Sequence, residues 1–105
     1  MSKSQKQTDE KTVDMVEIKF PSFYRVLIHN DNTTPIDLVL FLLVECAELN
    51  KDEAYSKAME AHESGSAVIG VHTEAKADEI ISYCGATAAL NGYPDFTLTK
   101  EKENE

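Results

Sequence analysis

Tryptophan is absent from this chain, and cysteine, proline and glycine are scarce: two, three and four residues among 105. Two cysteines are too few for the disulfide framework of a small secreted scaffold. Cys46 and Cys84 also lie inside apolar, helical-looking runs with no CxxC spacing, so they read as small buried hydrophobes of a reducing compartment. No run reaches the roughly 18 consecutive apolar residues of a membrane span, and MSKSQKQTDEK lacks the apolar centre of a secretory signal. The expectation is a cytoplasmic protein without membrane contact, with the plastid stroma as the alternative for a chain whose transit segment has been removed. Cations are in deficit too, ten Lys and Arg against nineteen Asp and Glu, for a formal charge of -9. Nucleic-acid binding takes much of its affinity from Lys and Arg that neutralise phosphates, which excludes nucleic acid as a partner. The charge favours cationic ligands, a free α-amino group among them, or else serves only solubility.

Motifs of catalysis are missing as well. There is no glycine-rich phosphate loop, none of Ser56, Ser64, Ser66 and Ser82 sits in a G-x-S-x-G setting, and the cysteines lie where apolar surroundings keep a thiol inert. His29, Asp31, His62 and His72 lack the short spacings of a zinc site. The chain therefore reads as neither an enzyme nor a metal protein, and no cofactor is expected.

What is present spells one small domain. Phe23 to His29 is β-branched and aromatic, bounded by Pro21 and Asn30-Asp31-Asn32, and reads as a strand. Thr34-Pro35 opens a helix with Thr34 as cap and Asp37 at the capping-box position; it is apolar nearly all round from Ile36 to about Leu49, the pattern of a buried central helix. Asn50 with Glu53 caps a second helix that Gly65 ends. Ala67 to His72 is a second strand, and Thr73 caps a third helix with Ala77, Ile80, Ile81, Cys84 and Ala88 on one face. Phe96 to Thr99 alternates as a short last strand. The order predicts an α+β fold, a three-stranded antiparallel sheet backed by three helices, over residues 22-100. Residues 1-21 read as a flexible extension, with Val13 to Phe20 at most a transient strand or a partner contact, and residues 101-105 read as a disordered tail.

Two features carry chemistry. The loop Asn30 to Thr34 holds more short polar side chains than a plain turn needs, although turn and capping chemistry alone accounts for such clusters. His62, before Glu63-Ser64-Gly65, is by itself an ordinary helix C-terminal residue facing the dipole.

Together, Tyr24 to Pro35, Ala61-His62-Glu63-Ser64-Gly65 and Val68-Ile69-Gly70-Val71 resemble the ClpS family, with the likeness running from about residue 23 to 99. The resemblance implies an adaptor that binds the free α-amino group and bulky hydrophobic first residue (Leu, Phe, Tyr or Trp) of N-degron substrates and delivers them to a Clp AAA+ unfoldase of the ClpA or ClpC type. It implies amino-end ligands at Asn30, Asp31, Asn32 and His62. It implies an apolar pocket of Thr34, Ile36, Val39, Leu42, Ala58 and Ala61, with Ile36 as gatekeeper. His62 must offer an unprotonated nitrogen for that role.

Three positions depart from the family pattern. Asn32 stands where an Asp is usual, which removes one carboxylate from the amino-end site unless Asp31 compensates. Ala58 is smaller than usual and deepens the pocket. For unfoldase docking Glu74, Lys76 and Glu79 offer the charges, while Ala75 and Ile80 occupy the family's positions. The alternative is a non-degradative interaction module of the same fold, which sequesters, decoys or recruits as the C-terminal domain of a ribosomal stalk protein does. A monomer is expected in either case.

Overall fold

The computed structural model describes residues 21-103. Most of the expected N-terminal extension, with Val13 to Phe20, and the last two residues of the expected tail lie outside them. The elements run β1 (Phe23–His29), α1 (Ile36–Glu45), α2 (Lys51–Ser64), β2 (Ser66–Thr73), α3 (Glu74–Leu90) and β3 (Leu98–Lys102). Strand order is β2-β1-β3, so β1 is central and pairs antiparallel with both neighbours. The expected α+β architecture is therefore the observed one. Among the described residues no helix is long and apolar enough to cross a membrane.

Val26 and Ile28 of β1, Ala67 and Ile69 of β2 and Leu98 of β3 join Leu42, Leu43, Ala54, Ala58, Ile80, Cys84 and Phe96 in one core. α3 packs across all three strands and α2 across β1 and β2, while α1 rests on α2 and α3 rather than on the sheet. That placement corrects the expectation of a fully buried α1. Val39, Leu42 and Leu43 are buried, but Phe41 on the opposite face is 51% exposed.

α1 also starts and stops differently from expectation. Pro35 rather than Thr34 occupies its N-cap, in an extended conformation (φ -61°, ψ 145°), and makes no side-chain cap because a proline ring carries no acceptor; the Thr34 hydroxyl donates to Asp31 instead. The helix ends at Glu45, four residues before Leu49. The amides of Ala47 and Leu49 reach back to the carbonyls of Leu42 and Leu43, and Glu48 turns the chain in the left-handed region at φ 68°. α2 follows the sequence pattern closely. Asn50 accepts the Glu53 amide at 2.8 Å, Glu53 accepts the Asn50 amide at 3.2 Å, and Gly65 closes the helix at φ 97°. Asn50→Ala is expected to cost about 1 kcal/mol, measurable as a lower urea midpoint with an unchanged slope.

β3 is shifted towards the C-terminus. It pairs with β1 from Ile28↔Leu98 to Tyr24↔Lys102, and the Glu103 amide donates to the Phe23 carbonyl at 2.8 Å. Residues 101-103 are thus part of the domain, not of a disordered tail. The run looks like a solvated tail because it is charged, yet Lys100 and Glu101 are held in ion pairs. Arg25 grips Glu101 at 2.7 Å, and Lys100 reaches Glu74 and Asp78 at 2.7 Å each while lying 5.5 Å from the Tyr24 ring centre. Lysines on an edge strand also discourage pairing with other chains.

Candidate functional site

The site begins with a backbone bond. The amide of Asn30, just past β1, donates to the carbonyl of Gly65 at 2.9 Å, which pins the 30-35 loop to the end of α2, where His62 lies one turn earlier. Gly65 holds the left-handed conformation that presents this carbonyl, a geometry costly for a residue with a Cβ.

Asp31 sets the shape of the loop. Its Oδ1 accepts the Thr34 amide at 2.7 Å, the Thr33 amide at 2.9 Å and the Thr33 hydroxyl at 3.1 Å; its Oδ2 accepts the Thr34 hydroxyl at 3.0 Å. Partial burial acts to raise the Asp31 pKa. The hydrogen bonds from the Thr34 and Thr33 amides and hydroxyls outweigh it and hold the carboxyl below its usual value. With four donors in place, Asp31 serves its own loop first and retains little capacity for a ligand.

Behind this loop opens a cavity of about 510 Å³, within the range that holds drug-sized ligands. Asn30, Asp31, Asn32, Thr34, Ile36, Val39, Ala58, Ala61 and His62 all line it. Leu42 is the exception among the sequence-derived residues: it is fully buried one turn beyond Val39 and supports the wall from behind without reaching the space.

Five further residues complete the lining, namely Ile28, His29, Tyr55, Met59 and Phe96. Phe96 and Ile28, 2% and 3% exposed, supply apolar surface between the sheet and the helices. Tyr55, Ala58, Met59 and His62 recur at i, i+3, i+4 and i+7, one stripe of α2. Helical spacing could have offered Tyr55 and Met59 from the sequence. Phe96 could not be found that way, because its place follows from the 93-97 turn, where its amide donates to the Tyr93 carbonyl at 3.3 Å. His29, whose Nε2 lies 2.7 Å from the Thr99 hydroxyl, reads in sequence only as a strand end.

Polar groups therefore gather at the loop side, Asn30, Asn32 and His62, and apolar ones line the walls. Among the described residues no Lys or Arg borders the cavity. Such a rim suits a donor-rich cation whose neighbouring group is apolar. Among the described residues, no group of three or more His, Cys, Asp or Glu is placed to hold a metal ion.

Glu74, Lys76 and Glu79 stand apart from this site on the first turns of α3. Lys76 pairs with Glu48 at 2.9 Å and Glu79 at 3.8 Å, and Glu74 with Lys100. The hydrogen bond with Glu48 raises the Lys76 pKa and lowers that of Glu48.

Fold and cavity together define a small α+β binding module. Residues 19–94 match the family described as ATP-dependent Clp protease adaptor protein ClpS. The adapter protein ClpS of Desulfotalea psychrophila is 31% identical over 103 residues, 98% of this chain and 100% of that one. Its counterpart from Oleidesulfovibrio alaskensis is 35% identical over 78 residues, covering 74% and 75% of the two chains. Among solved structures, Agrobacterium tumefaciens ClpS2 bound to L-phenylalaninamide superposes with a TM-score of 0.75 at 28% identity, covering 80% of this chain and 100% of that one. The chain belongs to the ClpS family, adaptors of the ATP-dependent Clp protease rather than proteases themselves.

Proposed function

We propose that the cavity receives the free amino end of a polypeptide whose first residue is Leu, Phe, Tyr or Trp, and that the chain hands this polypeptide to a Clp AAA+ unfoldase of the ClpA or ClpC type. The observation that carries the reading is the convergence of Asn30, Asn32 and His62 on a cavity walled by Val39, Ala58, Ala61 and Phe96. An ammonium offers three donors; the Asn30 and Asn32 carbonyl oxygens and an unprotonated His62 nitrogen are three acceptors. The ligand of the Agrobacterium relative, an amino-acid amide with an aromatic side chain, has the same two halves. The two free, buried thiols suit a reducing compartment such as the cytoplasm.

Fluorescence anisotropy with peptides that differ only at the first residue tests this. Burying a large apolar side chain contributes roughly 1.5 to 3 kcal/mol, so Phe or Leu should bind about 10- to 100-fold more tightly than Ser. Ile36, 47% exposed at the mouth, is β-branched and stiff, so first-position Ile and Val should bind less well than Leu. The small Ala58 and Ala61 leave depth for aromatic rings. Equal affinity for Phe and Ser would remove the proposal.

Asn32 is exposed at the cavity rim and carries no charge. Since Asp31 is committed to its loop, it does not replace the missing carboxylate, and Asn32→Asp should tighten binding about fivefold by making one hydrogen bond charge-assisted. Unchanged affinity for a Leu-first peptide would refute that effect.

One observation favours binding without delivery. The charges at the start of α3 are already engaged with Glu48, Glu79 and Lys100. Degradation of a Phe-first reporter by a Clp unfoldase and peptidase separates the two readings: acceleration by the chain supports delivery, and protection supports sequestration.

A further inference from the structure

Neither cysteine lines the cavity, yet the fold brings the two together. Cys46 is the C-cap of α1 and Cys84 lies midway along α3; they are 5% and 0% exposed, and both are free thiols. The Cys84 Sγ donates to the Leu42 carbonyl at 3.8 Å. The same carbonyl accepts the Cys46 amide at 2.8 Å, so both residues converge on one atom where α1 meets α3. The two side chains are near enough for Cys46 to act on the Cys84 thiol.

We infer that Cys46 and Cys84 form a latent cross-link, which a peroxide closes into an intrachain disulfide fastening the end of α1 to the middle of α3. Cys46, the slightly more exposed of the two, reacts first. Its sulfur attacks one peroxide oxygen, the O–O bond breaks, and Cys46 becomes a sulfenic acid with release of one water. The Cys84 sulfur then attacks the Cys46 sulfur, the S–O bond breaks, and the hydroxyl leaves as a second water with the Cys84 proton. Two thiols are oxidised and one peroxide is reduced to two waters.

Burial, with Cys46 beside it, pushes the Cys84 thiol up to about 12. Thiolate is therefore scarce at neutral pH, and closure waits on local opening between α1 and α3. The pair acts as a slow lock under oxidative stress, unlike a sensor cysteine, which is exposed and acidic. α1 carries Ile36 and Val39 of the cavity, so the bond would tie that wall to the α3 layer.

The full chain, treated with hydrogen peroxide under native conditions and then denatured without reductant, provides the test. Intact mass should fall by two hydrogens, no thiol should remain for iodoacetamide, and dithiothreitol should restore both. The oxidised monomer should melt on the order of 10 °C higher. Cys84→Ala should stop at a Cys46 sulfenic acid that dimedone traps; should that variant fail to fold, the wild-type mass decides alone. Two alkylatable thiols after exposure, oxygen added without cross-linking, or disulfide-linked dimers would each overturn the inference.

Discussion

Acetylating the amino end of a Phe-first peptide is expected to weaken its binding by a hundredfold or more. The modification removes the charge and leaves a single N–H where the ammonium had three donors, so two of the acceptors among Asn30, Asn32 and His62 lose their partners. Hydrogen bonds to a charged group contribute about 1.5 to 3 kcal/mol each, and two of them exceed the 2.8 kcal/mol or so that corresponds to a hundredfold. His62→Ala should cost about tenfold on the free peptide and almost nothing on the acetylated one, which makes a double-mutant cycle informative. If acetylation makes no difference, the amino-end reading fails; a native-like His62→Ala removes only the role given to that residue.

The reach of the sequence differs from element to element for physical reasons. α2 announces both ends, because Asn50 with Glu53 and Gly65 each act within a few residues of the backbone they satisfy. α1 hides its end. No glycine or proline lies between Pro35 and Gly65, and the stop depends on Glu48 accepting a left-handed conformation while its carboxylate meets Lys76 across the fold. The charged β3 is a strand only because β1 supplies its ladder and Arg25 its counter-ion. The cavity followed the same division. Loop and α2 residues were legible as motifs, whereas Phe96 enters through the turn before β3 and Leu42 drops out because α1 leans on α2 and α3.

Asp31→Ala should damage the site more than its half-buried setting suggests. The substitution strips an acceptor from two amides and two hydroxyls at once. Part of that loss is recovered by water, so the expected cost is about 1 to 3 kcal/mol of stability. Binding should drop by more than tenfold, because Asn30, Asn32 and Thr34 are positioned by the loop that Asp31 folds. Asp31→Asn keeps one oxygen for the amides and should lie between Ala and the native chain. Protonation mimics the mutation only in strong acid. The folded-state pKa of Asp31 lies below the ordinary carboxyl value of 3.8, so its contribution is complete above that value and is lost as pH falls through the lower folded one. The loop consequently stays intact from pH 7 to 5. Urea melts and anisotropy on the same Asp31→Ala preparation check both halves: a less stable chain that binds Phe-first peptides normally would separate the loop from the binding site.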